Sequence, residues 1–276
     1  MNVFEQMLAS YEVNDREDKL NAIHEVMQQV TLAALGQGGF FEKAAFYGGT
    51  CLRIFHGLPR FSEDLDFSLL RSEPDFSLEP YFPGIETLFA SMGQKVHLSV
   101  KKKSKQSTIH SAFLKSDTVQ YDLQLERGRN IRIKIEVDTT PPLMFDSEQK
   151  LLLHPYSFYT RCFTLPCLFA GKMHALMYRG WKNRVKGRDW FDFEWYVRRG
   201  VPLNFSHFCE RVRQFASADA EGMTVERFRS ELKEKLRSVS VDAVRRDVEP
   251  FVRDVHALDI WSADYFCALA DMLRVE

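Results

Sequence analysis

The chain has 276 residues, 45% hydrophobic and 27% charged, with 37 basic against 38 acidic side chains and a formal net charge of −1. That balance excludes a uniformly polycationic nucleic-acid binder, so any nucleic-acid surface must be a local patch. No stretch approaches the ~20 apolar residues that cross a bilayer. The acidic Glu5, Asp15, Glu17 and Asp18 do not read as a secretory leader, so a cytoplasmic protein without a membrane partner is expected.

Five cysteines, Cys51, Cys162, Cys167, Cys209 and Cys267, match no zinc spacing and read as reduced thiols. Twenty-three phenylalanines allow a large buried core.

In chain order, Leu20, Ile23, Met27, Val30, Leu32 and Leu35 recur near helical spacing and predict a helix over 14–36, ended by Gly36, Gly38 and Gly39. The apolar run Ala44 to Tyr47 suits a buried strand, Gly48-Gly49 a turn, and Thr50 to His56 a short helix. A strand within Phe61 to Leu70 alternates Asp64 and Asp66 against Leu65 and Phe67. The segment 95–138 reads as a meander: Val96 to Val100, Thr108 to Leu114, Tyr121 to Glu126 and Ile131 to Val137, with Gly128 and Asn130 at the last turn. The Pro-containing stretch 139–166 is the expected boundary. Beyond it, helical patterns occupy 167–181, 188–199, 204–216, 223–237, 241–257 and 260–274. The expectation is an α+β fold: a mixed sheet with flanking helices over 1–145, then a mainly helical domain over 146–276.

The chemistry concentrates in Gly48-Gly49-Thr50, thirteen further residues, and Asp64-Leu65-Asp66-Phe67. Two glycines allow a sharp turn and close ligand approach. They precede a helix start, where free N–H groups favour phosphate. The Thr50 hydroxyl is placed to donate to a phosphate oxygen or to cap that helix. Asp64 and Asp66, two apart on a strand, leave the same face and suit Mg²⁺. A third acid is available on the polar face of 131–138, as Asp138 (preferred) or Glu136, with Lys134 beside them. Lys172 and Arg179, seven apart, share a helical face and can hold phosphate oxygens. Arg53 and Arg60 are candidates for phosphate or for ion pairs with Glu63 or other acids. His174 lies off the Lys172 face and reads as packing. The run Lys101-Lys102-Lys103-Ser104-Lys105 is a hairpin tip or an RNA-backbone contact.

The run Phe46-Tyr47-Gly48-Gly49-Thr50-Cys51-Leu52-Arg53, followed by Arg60-Phe61-Ser62-Glu63-Asp64-Leu65-Asp66-Phe67-Ser68, resembles the AbiEii family of nucleotidyltransferase toxins, within the DNA polymerase β-like superfamily. Ala170-Gly171-Lys172-Met173-His174-Ala175-Leu176, Arg179 and Lys186-Gly187-Arg188-Asp189-Trp190-Phe191-Asp192 are also similar to it. The resemblance implies two Mg²⁺ ions, with Mn²⁺ as a substitute, held by Asp64, Asp66 and the third acid. It implies a functional lysine at Lys172 and a functional aspartate at Asp189. It further implies an NTP bound by Gly48, Gly49, Thr50, Arg53, Lys172 and Arg179, an RNA acceptor such as a tRNA 3′ end, and a cognate antitoxin. Two rival readings remain: the same chemistry on a protein or on a small molecule such as an antibiotic, and a non-catalytic binding module of the same fold.

Overall fold

The structure is a computed structural model, and it describes residues 1–100, 118–125, 131–179, 185–215 and 221–276. The expected strand Thr108 to Leu114, the turn at Gly128 and Asn130, and the basic run Lys101 to Lys105 lie outside the described residues.

The described strands form one seven-stranded mixed sheet: β1 (Ala44–Tyr47), β2 (Leu65–Leu69), β3 (Val96–Val100), β4 (Thr118–Leu125), β5 (Arg132–Asp138), β6 (Ser147–Leu152) and β7 (Phe158–Phe163). Their order is β3-β4-β5-β2-β1-β7-β6. β1 runs antiparallel to β2, whereas β2–β5 and β1–β7 are parallel pairs. The strand alternation read from the sequence has a direct physical result in β5. Ile133, Ile135 and Val137 are buried, while Lys134 and Glu136 are turned to the other, half-exposed face.

Two strands, β6 and β7, come from the stretch expected to be a boundary, so the sheet extends past residue 145. Sheet residues such as Phe46, Phe67 and Ile135 belong to the same buried cluster as Phe169, Trp190 and Phe266 of the C-terminal helices. The segments 1–145 and 146–276 therefore share one core.

The first two helices are α1 (Val3–Ala9), closed by a capping box between Asn2 and Glu5, and α2 (Arg16–Gln37), capped by Asp15 and ended by Gly38. α2 is buried on several sides, with Val26, Met27, Val30 and Leu32 each fully covered. Next come α3 (Gly48–His56) and α4 (Phe82–Ser91). The C-terminal half holds α5 (Leu165–Tyr178), α6 (Gly187–Arg198), α7 (Phe205–Phe215), α8 (Val225–Ser238), α9 (Val241–Val248) and α10 (Ala263–Met272). The predicted 241–257 helix stops at Val248; Pro250 cannot continue it, and two short 3₁₀ turns follow. No helix among the described residues is long and apolar enough to cross a membrane.

Candidate active site

One pocket opens where the ends of β1, β2 and β5 meet α5, α6 and α7. Its walls are of opposite charge: Asp66, Glu136 and Asp138 come from the sheet, Lys172 and Arg211 come from α5 and α7, and Arg179 is the extended residue that closes α5, just past the helical face on which the sequence set it. Gly48 and Gly49 form one edge, with Tyr47, Phe163, Cys167 and Leu168 as the apolar lining.

The glycines are demanded by the geometry. Gly48 has φ +86°, and a Cβ there would fall on the Asp66 carboxylate. A Cβ on Gly49 would stand 2.7 Å from Ser62 Oγ and 3.0 Å from Arg60 Nη2. The turn thus brings the start of α3 directly against the acidic strand. Thr50 does not cap α3, whose N-cap is Tyr47; its hydroxyl is buried and donates to the Asp64 carbonyl at 2.5 Å, which pins the segment entering β2. From the other side, Gln28 Nε2 donates to the carbonyls of Ser62 and Glu63 at 2.9 and 3.1 Å. Three side-chain hydrogen bonds therefore fix the backbone just ahead of the paired acids.

The parallel register of β2 and β5 sets Asp66 beside Glu136, and Ser68 beside Asp138. The Asp66 and Glu136 carboxyl groups therefore act on each other electrostatically. Burial, then the charges of Glu136 and Asp64, push the Asp66 carboxyl well above the usual carboxylate range. Asp64 precedes the first residue of β2 and lies outside the pocket lining, but it is raised too, by burial and by Glu136 and Glu63, against the pull of Lys134 and Arg188. Lys134 Nζ lies 2.5 Å from Glu136 Oε1, and this bond with the nearby acids holds its ammonium form against burial. Gln120 also donates to Glu136, at 2.8 Å. Asp138 is buried and lines the pocket one step deeper along β5.

Among the described residues no group of three His, Cys, Asp or Glu side chains stands ready-made in metal-holding geometry. What the site does contain is a partly exposed carboxylate pair, Asp66 and Glu136, set side by side by the strand register, with a third acid charge, Asp64, close by. A hard divalent cation with oxygen ligands would relieve that repulsion. On this chemistry the donor set fits a divalent cation, and both Glu136 and Asp138 line the pocket as third acids.

The basic wall is itself tied down. Lys172 Nζ lies 2.7 Å from Asp192 Oδ2 and 3.6 Å from Asp189 Oδ1, and Arg179 Nη1 lies 3.0 Å from Asp189 Oδ2. Asp189, in the first turn of α6, thus stands between the two cations that the sequence placed on one helical face. Arg53 does not reach this pocket. It is paired with Glu25 at 2.8 Å, donates to the Leu58 carbonyl at 3.2 Å and packs over Phe61. Its contacts in this structure are thus with Glu25, Leu58 and Phe61, outside the pocket lining. His174, expected to pack, is buried and also lines the pocket.

Three contributors were not singled out from the sequence. Asp192 is one helical turn after Asp189 and is fully buried. It is held in its charged form, against the cost of burial, by Arg60 and Lys172. Arg211 comes from an amphipathic helix with no motif of its own. Tyr47 precedes the glycine turn, and burial and the charges of Asp66, Asp138 and Glu136 push its hydroxyl far up. The i,i+3 spacing of Asp189 and Asp192 was the one available signal.

The sequence profile described as "Nucleotidyl transferase AbiEii toxin, Type IV TA system" matches residues 30–271. No curated protein matches the chain. Among solved structures, the chain is similar to the MenT4 nucleotidyltransferase toxin of Mycobacterium tuberculosis H37Rv, with TM-score 0.61 and 18% identity over 98% of this chain and 88% of that one. It is also similar to JHP933 of Helicobacter pylori, with TM-score 0.52 and 16% identity over 91% of this chain and 90% of that one. At such identities these structures support the fold. The family match covers most of the chain, and the protein belongs to the AbiEii family of type IV toxin–antitoxin nucleotidyltransferases.

Proposed function

We propose that the pocket binds a nucleoside triphosphate with divalent cations and transfers its nucleoside monophosphate to an RNA acceptor. The observation that carries this reading is the opposition, across one pocket, of the Asp66–Glu136 pair to Lys172 and Arg179. Asp64, Asp66 and a third acid, Glu136 or Asp138, would hold the Mg²⁺ ions. When bound, the cations neutralise phosphate oxygens and make an acceptor hydroxyl more acidic.

The chain's own residues do the rest. The Gly48-Gly49 turn lets the phosphates approach the N-terminus of α3, whose free N–H groups favour anions. Lys172 and Arg179, set by Asp189 and Asp192, meet the charge that develops on the departing pyrophosphate. The acceptor oxygen bonds to the α-phosphorus as the α–β anhydride breaks, so one phosphate ester forms and pyrophosphate leaves. Rate comes mainly from alignment and charge stabilisation.

RNA, with a tRNA 3′ end foremost, is the proposed acceptor. A cognate antitoxin is the proposed partner in the cell, in keeping with the type IV family. The test is incorporation. Purified protein is given Mg²⁺, each α-labelled NTP in turn and total cellular RNA, beside Asp64→Ala/Asp66→Ala. Label in RNA with the wild type alone supports the proposal and names the nucleotide. Label in protein or in small molecules keeps the transferase and removes the RNA acceptor.

A further inference from the structure

The three cations of the pocket are not equivalent. Lys172 and Arg179 each stand within ion-pair distance of a buried aspartate. Arg211 has no acidic partner within 4 Å among the described residues, and its Nε is shielded from solvent without a hydrogen-bond partner. A donor in that state costs free energy that an incoming acceptor would recover.

Its position is built into the helix packing. Phe208 and Val212 of α7 are fully buried and anchor the helix, which leaves Arg211 directed to the pocket. The guanidinium lies against Gly171 of α5: a Cβ there would stand 3.9 Å from both its Cζ and its Nε. The guanidinium is thus close to the α5 backbone at the pocket wall. Across the pocket, the Arg211 charge acts on the Tyr47 hydroxyl in opposition to Asp66, Asp138 and Glu136.

Resting on the nucleotidyltransferase reading above, we infer that Arg211 is a nucleotide-binding residue of the site, the uncommitted cation that grips the β- and γ-phosphates of the nucleoside triphosphate. Lys172 and Arg179 arrive ion-paired with Asp189 and Asp192, and so share their donors between the aspartates and any nucleotide. The polyanionic tail of the nucleotide gains most from a positive group with donors not already shared with a carboxylate, and a guanidinium offers its donors as a fork. Selection of a triphosphate over a monophosphate then depends on α7, an element outside the motif-bearing segments.

The test is calorimetric binding of an α,β-methylene NTP and of the matching nucleoside monophosphate, in Mg²⁺, to the wild type, Arg211→Gln and Arg211→Lys. The expected result is triphosphate binding weaker by roughly 10- to 100-fold in Arg211→Gln, with monophosphate binding changed less than about twofold. Arg211→Lys is expected to fall between them, because it keeps the charge and loses the fork. Melting temperatures of both variants should equal or exceed that of the wild type, since a buried unsatisfied donor is removed or reduced. If Arg211→Gln does not fold, the Arg211→Lys comparison decides by the same criterion. Unchanged triphosphate affinity, or equal weakening for both ligands, overturns the inference and leaves the enzyme reading intact. A wild type that binds no NTP overturns that reading itself.

Discussion

Arg60 and Asp192 meet in a fully buried two-point ion pair: Nε donates to Oδ1 and Nη2 to Oδ2, each at 2.6 Å. The same Oδ2 receives Lys172 at 2.7 Å. One carboxylate on α6 therefore joins the segment leading into the acidic strand to the lysine of the basic wall. Removing one partner of such a pair leaves a buried charge unpaired, which typically costs about 3–5 kcal/mol. Arg60→Met should destabilise the protein on that scale in urea or thermal unfolding. It should also lower kcat more than it raises the KM for NTP, because Lys172 would follow Asp192 out of position. An Arg60→Met variant as stable as the wild type contradicts this account.

Gly48 combines a left-handed backbone with a Cβ position already taken by the Asp66 carboxylate. Gly48→Ala should therefore displace Asp66 and reduce transferase activity by at least about 100-fold, with a stability loss of about 1–3 kcal/mol. Gly57 has a similar φ of +70° but open space around its Cβ position. Gly57→Ala should share the modest strain and keep the activity. Equal activity loss in both variants would show that backbone strain, and not the carboxylate, is responsible.

Thr50 is expected to act through backbone position. Thr50→Ser keeps the hydroxyl donor and should remain active. Thr50→Val leaves the Asp64 carbonyl without its 2.5 Å partner and should cost about 1–3 kcal/mol in stability, lowering kcat with little change in the KM for NTP. A selective rise in KM would instead place the hydroxyl on the nucleotide.

The two aspartates at the centre have opposite pH signatures. Asp66 is raised in the fold, so it binds its proton more tightly there than in the unfolded chain. Its charged form opposes folding, and stability falls as pH rises from the ordinary carboxylate range up to its folded value. Asp66→Asn should therefore melt several degrees above the ligand-free wild type at neutral pH, match it near pH 3, and lack activity. Added Mg²⁺ should narrow the gap by raising the wild type alone. Asp192 is depressed, so its contribution is complete above the unfolded carboxylate value and is lost as pH falls through the folded one. Asp192→Asn should thus be less stable than the wild type at pH 7, and the difference should shrink in acid.

Much of this site was legible in local pattern. The glycine pair, the acids at and just before β2 and on β5, and Lys172 with Arg179 at the end of α5 are each short-range patterns, and the fold brings Gly48, Gly49, Asp66, Glu136, Asp138, Lys172 and Arg179 to one pocket. The partners of Thr50 and Arg53, the Asp64 carbonyl and Glu25, were not legible in it, because they lie fourteen and twenty-eight residues away and belong to tertiary packing. Asp192 looked like one more polar residue in an aromatic helix until Arg60, 132 positions earlier, was set against it. Strands β6 and β7 were hidden for a related reason. Leu151 and Tyr159 face each other at the exposed edge of the sheet, so neither strand carries a clean alternation of buried and exposed positions.

The central claim is that the acidic and basic walls bind a metal-complexed triphosphate between them. The most direct measurement is titration of an NTP into the wild type, Asp66→Asn, Glu136→Gln and Asp138→Asn, with and without Mg²⁺. The account predicts Mg²⁺-dependent binding to the wild type, and loss of that dependence in Asp66→Asn and in Glu136→Gln or Asp138→Asn, whichever removes the third acid. Binding of equal strength with and without Mg²⁺, or Mg²⁺ dependence that survives all three substitutions, would contradict it.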